Sequence, residues 1–484
     1  MNFRGLIGVS ILAQASLCHA GDAITVYSQY QAGRSAQQSA NGIAIVSHDR
    51  EYDIAKGVSE LRVTDVAARI DPTTVSFQSL DREEVRVLEQ RYEFDLVNQR
   101  KLMRRFVGET IEVELAQGDG TQVISGVLLS SDDGLTLQHE DGRISSLSQW
   151  RNVRFPALPD GLITKPTLVW RLHSEQAGKQ QTRTSYQTGG MAWWADYNVL
   201  LNEQDQCQAN INAWVSLQNQ SGTGFEQANL KLVAGDVNRV QPAPQIQYRT
   251  QVLADAVPES AAAGFSEKSF FEYHLYTLGR SIDLPNNSTT QVELFPAVQA
   301  VPCEKELVVD GSKQWRYRGG VNTDSGYHGN SSMDVAVYLR FKNDEDSGLG
   351  IPLPEGRIRI SQVDDADGRV EFIGEDSIAH TPKDEEVMVK VGNAFDVVGE
   401  RKRSDFKIDH NNHRMWDSYE VTLRNHKDEA VDVVVLESLY RASNWTIENN
   451  NAPFEKLNAN RIRFNVSIPA NGEKVVRYTA YYTW

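Results

Sequence analysis

Apolar residues recur at every second position in short runs along most of this chain. Thr110-Ile-Glu-Val-Glu-Leu115 alternates, and so does Thr74-Val-Ser-Phe-Gln-Ser-Leu80. Between Met333 and Phe341, the residues Val335, Val337, Leu339 and Phe341 fall on one face. A period of two marks half-buried strands. Clusters of Gly, Pro, Asn and Asp bound most of the runs, as turns require. The pattern predicts a mainly β protein. Residues 93–106 depart from it. Leu96, Leu102, Met103 and Phe106 share a helical face, Arg and Lys gather near the end, and Gly108 follows, which predicts a helix.

The punctuation divides the chain. Residues 21–106 read as an N-terminal β unit ending in that helix. Residues 107–157 carry three corners, Gly118-Asp-Gly120, Asp132-Asp-Gly134 and Glu140-Asp-Gly142. Asp-Gly suits tight hairpin corners, so a small SH3- or Sm-like barrel is predicted. Pro156, Pro159, Gly161 and Pro166 mark a linker. A large β-sandwich domain is expected over 158–410. An immunoglobulin-like module is expected over 411–484, where runs of about eight residues alternate with turn signals. No exact internal repeat is present.

Aromatics and alternating apolar residues are densest over 184–240. Alternation puts Trp193 and Ala195 on one face of a strand and Trp194 and Asp196 on the other. One tryptophan then belongs to the core. Trp193, Trp194, Asp196 and Tyr197 together are the candidate ligand or domain-contact surface, an aromatic platform with a carboxylate; packing is the plainer reading.

Charge and cysteine content narrow the setting. The 484 residues carry a formal net charge of −16 and no basic run of five or more, which argues against nucleic acid and anionic lipid as partners. Residues 1–20 read as a signal peptide: Arg4, a mostly apolar stretch to Leu17, and Cys18-His-Ala20 before the cleavage point. That stretch is shorter than the roughly 20 residues of a spanning helix, and no later run is long enough, so no transmembrane segment is expected in the mature chain. Export to the periplasm or beyond follows. Cys207 and Cys303 remain, either as one disulfide or as two buried thiols.

Six blocks in fixed order then carry a resemblance. They are Tyr186-Gln-Thr-Gly-Gly-Met-Ala-Trp193 with Ala195-Asp-Tyr197; Leu217-Gln-Asn-Gln-Ser-Gly222 with Phe225 and Leu232-Val-Ala-Gly-Asp236; Gly348-Leu-Gly-Ile-Pro-Leu-Pro354 with Gly356; Ile373-Gly-Glu-Asp376; Gly392 with Phe395-Asp396; and Arg424-Asn-His-Lys427. Residues 167–484 resemble the bacterial family called "domain of unknown function 4139". The resemblance implies a secreted or envelope-associated, β-rich protein, and brings no catalytic residues with it.

Other chemistry is sparse. His410 and His413 suggest metal ligation, but a strand sends that spacing to opposite faces and Asn411-Asn412 signals a turn. Val363-Asp-Asp-Ala-Asp-Gly368 resembles a calcium loop, yet Val363 and Gly374 stand where ligands are needed, so a hairpin turn is expected. The sequence contains no G-x-S-x-G, H-E-x-x-H or P-loop. No metal or cofactor is expected. The expected function is a non-enzymatic envelope or secreted protein that binds a protein or glycan partner through β surfaces. The alternative is a carboxylate-dependent hydrolase of envelope polysaccharide, drawn from the 65 Asp and Glu residues.

Overall fold

The computed structural model describes residues 22–28, 42–64, 66–81, 85–117, 120–202, 207–235, 237, 264–311, 320–327 and 331–484. The expected leader over 1–20 and the corner at Gly118-Asp119 lie outside these. The fold is mainly β, with one α-helix among the described residues.

Two sandwiches follow one another. In the first, Ala23–Tyr27 runs parallel to Phe225–Ala234 and antiparallel to Ile43–Ile54, which pairs with Gly178–Gly189. Opposite lie Met191–Asn202, Gln208–Asn219 and the first half of Ser288–Asp310. Alternation explains the inward faces: Ala209, Ile211, Ala213, Val215 and Leu217 are all at most 1% exposed. They meet Ile24, Val26, Leu230 and Leu232 in one core.

The second sandwich repeats this plan. The far half of Ser288–Asp310 runs parallel to Val431–Ser438 and antiparallel to Ser331–Lys342. Glu386–Asp409 pairs with Arg414–Asn425, which pairs with Glu473–Thr483. The registers correspond position by position. Met191 faces Asn219 as Val397 faces Asn425, and Phe225 faces Leu284 as Val431 faces Ile468. One constant shift aligns the strands ending in the two asparagines, and a second aligns the strands around Pro285 and Pro469. The turns after those prolines both pass through an asparagine at positive φ, Asn287 (56°) and Asn471 (49°). The second core is built by Val309, Val335, Val421, Val435, Phe464 and Tyr478 among others. The chain is thus a tandem of one β unit.

Each unit carries an insertion at the equivalent place. In the first, residues 55–177 hold a three-stranded sheet (Gly57–Val63, Thr167–Ser174, Val85–Glu93) and a five-stranded sheet. The five-stranded sheet runs Asn152–Arg154, Thr110–Gln117, Gly120–Ser130, Leu135–Gln138, Ile144–Leu147. Its last strand returns beside its first around Ile111, Val113, Leu128, Leu135 and Leu137. The two ends do not pair, so the expected barrel is an unclosed sheet. In the second unit, residues 343–385 form the hairpin Gly356–Val363 and Val370–Ile378, which joins Met191–Asn202 in parallel. Gly356 is required there, since a Cβ would lie 2.1 Å from the carbonyl oxygen of Ala195.

One more sequence expectation changes. The helix spans Gln99–Arg105, capped by Asn98, whose side chain accepts from Lys101 N–H at 3.0 Å. Of the expected span, Glu93 is strand instead, because it pairs with Thr167. Ile43–Ile54 pairs with Gly178–Gly189, and Glu386–Asp409 with Arg414–Asn425. The Pro-rich 156–166 stretch marks the exit from an insertion.

Candidate functional site

The residues singled out by the sequence lie inside the protein. Trp193, Trp194, Asp196 and Tyr197 are exposed by 1%, 6%, 3% and 1%. Neither tryptophan forms an open platform: Trp193 belongs to the first core, and Trp194 is held against Asp196, beside arginines of the hairpin strand that extends the same sheet. Trp193 donates from Nε1 to the Val233 carbonyl at 3.2 Å and meets Tyr276 edge-on. Tyr197 donates to the Pro354 carbonyl at 2.7 Å. Asp196 accepts from Trp194 Nε1 (2.9 Å) and Ser216 Oγ (2.5 Å), and pairs with Arg357 (3.0 Å) and Arg359 (3.5 Å). It fastens the hairpin to the first unit, a contact between elements rather than a ligand surface.

Cys207 and Cys303 form a disulfide, with Cα atoms 5.0 Å apart. It ties the start of Gln208–Asn219 to the middle of Ser288–Asp310. His410 and His413 lie in a turn built on Asp409, whose carboxylate accepts from Asn411 and Asn412 N–H. Among the described residues no three His, Cys, Asp or Glu side chains converge as a metal site would require.

The second unit differs from the first at its core. Ala195 pairs with Val215 where Arg401 pairs with Val421, and Tyr197 with Ala213 where Arg403 pairs with Tyr419. A bulge follows Phe225, after which Ala228 faces Ile282 as Val433 faces Val466, so Leu232 corresponds to Glu437. An apolar core in the first unit is thus an ionic one in the second. Arg401 and Glu437 pair at 3.0 Å, both essentially unexposed, and the Arg401 guanidinium lies 3.6 Å from the Tyr419 ring centre. Burial alone would depress the Arg401 pKa, yet the Glu437 charge, the Tyr478 and Tyr419 hydroxyls and the hydrogen bond to Glu437 together outweigh it and leave that pKa well raised. Asp417 joins Arg403 (2.9 Å) to Arg441 (2.5 Å). Both arginines reach outward to backbone carbonyls of the 320–327 segment: Arg441 to Asn322, Asp324 and Tyr327, Arg403 to Ser325 and Tyr327. The ionic core therefore pins that segment over one end of the second sandwich.

An open groove of about 350 Å³ lies on the outer face of the second unit, across Ser288–Asp310, Ser331–Lys342 and Glu386–Asp409. Tyr338, Met388 and Lys390 line one side, Asp310 and Arg461 the other. Arg461 pairs with Asp310 at 2.6 Å, and Asp334 accepts from Asn393 Nδ2 at 3.1 Å. Arg461 Nε and Ser331 Oγ are buried there without a hydrogen-bond partner. Burial, then the neighbouring Asp376 and Asp310 carboxylates, raise the Tyr338 pKa. Nothing in the sequence pointed to this groove, since its residues come from five strands spread over 150 positions of chain. Comparison with known proteins finds no matching family model and no matching curated relative.

Proposed function

We propose that this chain is an exported, non-enzymatic binding protein that takes a segment of a partner protein into the groove beside Arg461. The groove carries the reading. It sets the apolar Tyr338 and Met388 beside charges of both signs, Asp310, Lys390 and Arg461. It also leaves Arg461 Nε and Ser331 Oγ unpartnered. Export is supported by the leader-like residues 1–20 and by the Cys207–Cys303 disulfide, a bond that persists in oxidising compartments. The resemblance to domain of unknown function 4139 supports the same setting.

A photoactivatable residue in place of Tyr338 tests it in the native envelope. The expected result is a discrete adduct with one envelope protein, lost on Arg461→Glu and absent when the probe replaces the exposed Lys474. An adduct unaffected by Arg461→Glu would remove the groove from the reading.

One observation favours a second reading, hydrolysis of envelope polysaccharide. Two carboxylates, Asp310 and Asp334, line the groove together. Asp310 is however neutralised by Arg461, and Asp334 is exposed. Release of reducing ends from envelope polysaccharide, abolished by both Asp310→Asn and Asp334→Asn, would replace binding with hydrolysis.

A further inference from the structure

The outer face of the other sheet of the second unit presents an aromatic pair that the sequence keeps 65 positions apart. Trp416 and Tyr481 sit directly opposite each other on Arg414–Asn425 and Glu473–Thr483, with ring centres 5.1 Å apart and planes tilted by 35°. Both are half-buried, on the side away from the core. Polar side chains surround them in register. Lys407 lies opposite Trp416 and Thr446 opposite Tyr481, while Ser418 and Thr479, one step along, share a hydrogen bond of 2.8 Å. One step the other way, Thr483 and Asn444 lead into a hollow of about 320 Å³ closed by Trp484 and Val321. Trp484 itself packs edge-on against His413.

The geometry points to a glycan-binding track along this face, independent of the groove, that takes a neutral hexopyranose chain. A pyranose ring offers an apolar C–H face and a rim of hydroxyls. The Trp416–Tyr481 pair supplies the flat apolar contact, and the hydroxyl, amide and charged groups of the flanking rows supply partners for the rim. Successive same-face positions along a strand are about 6.6 Å apart, so the pair, the Thr483–Asn444 row and the Trp484 hollow form a linear series of contacts rather than a single pocket. Charge selects a neutral polymer. Lys407 is paired with Asp405 at 3.0 Å, and Arg414 stands beside Asp409 across the strand pair, so no field of one sign is presented to an anionic chain.

Titration calorimetry of the full chain with cellohexaose, chitohexaose and hexagalacturonate tests this. At least one neutral hexamer is expected to bind. Trp416→Ala and Tyr481→Ala should each weaken it at least ten-fold, Tyr481→Phe less than three-fold, and Arg461→Ala in the groove not at all. Circular dichroism establishes that each variant is folded, and Trp416→Phe replaces Trp416→Ala if the latter is not. The proposal is overturned if no neutral hexamer binds, if the uronate binds best, or if the aromatic variants bind unchanged. Sugar binding lost with Arg461→Ala but kept in Trp416→Ala would move the glycan to the groove and also overturn it.

Discussion

Asn219 and Asn425 close the same turn in two successive sandwiches. Each ends a strand, each is 1% exposed, and each makes the same three contacts. Asn219 Nδ2 donates to the carbonyls of Thr223 (2.9 Å) and Pro285 (3.3 Å), and its Oδ1 accepts from Ser221 N–H (3.0 Å). Asn425 Nδ2 donates to Glu429 (2.8 Å) and Pro469 (3.0 Å), and its Oδ1 accepts from Lys427 N–H (3.0 Å). No other side chain offers two donors and an acceptor in so short a reach. Replacing either by Ala strands buried backbone groups at a cost of about 3 kcal/mol. Urea unfolding of Asn219→Ala and Asn425→Ala should show similar losses. A loss below about 1 kcal/mol at either site would contradict the shared latch.

The ionic core invites a different comparison. Glu437→Leu alone takes away the carboxylate that buried Arg401 pairs with, which costs about 3–5 kcal/mol. Arg401→Met with Glu437→Leu restores an apolar pair like Ala195 and Leu232 in the first unit. The double variant should recover most of the loss, as replaced buried ion pairs commonly do. A double variant no more stable than Glu437→Leu would mean that the charges do more than fill the core.

Alkaline pH acts on the same region. Burial pushes the Tyr419 hydroxyl up to about 12, with Arg401 pulling against it and Asp417 adding to it. Tyr197, Tyr276, Tyr478 and Tyr482 are buried and raised as well. A folded pKa above the unfolded value of about 10 means that the unfolded chain loses its protons first. This stability is therefore fully present below pH 10 and is lost as pH climbs toward 12. Absorbance at 295 nm should show these tyrosines ionising together with unfolding, after the exposed ones. Smooth titration of all tyrosines near pH 10 in a folded protein would refute it.

The disulfide closes a loop of 96 positions. Constraint of the unfolded chain over such a length stabilises by about 4 kcal/mol. Cys207→Ser with Cys303→Ser should lower the thermal midpoint, and reductant should do the same to the native chain. Unfolding curves that superimpose with and without reductant would speak against the bond.

Strand periodicity made much of the fold legible in the sequence. The run at 333–341 was readable from alternation, and the hairpin turn at Val363–Gly368 from its residues. The tandem was not, because its cores diverged: Ala195 against Arg401, Leu232 against Glu437. What the units share are turn residues, Asn219 and Asn425, Asn287 and Asn471, too few and too scattered to register as a repeat. The helix expected over 93–106 begins only at Gln99, because Glu93 closes a strand whose partner, Thr167, lies far along the chain. Trp193 and Trp194 are legible as a pair because they are adjacent, whereas Trp416 and Tyr481 are brought together only by sheet pairing. Adjacency in sequence says little about exposure when both faces of a strand are covered.

Ser288–Asp310 belongs to both sandwiches: Val292 sits in the first core, and Leu307 and Val309 in the second. Residues up to Pro302 pair within the first sandwich and those from Cys303 within the second. A fragment ending before it strips the first unit of the strand beside Gln208–Asn219, and one beginning after it strips the second of the strand between Ser331–Lys342 and Val431–Ser438. The duplicated units are thus spliced at a shared beam, and any tension between the groove face and the first sandwich runs along a single continuous backbone.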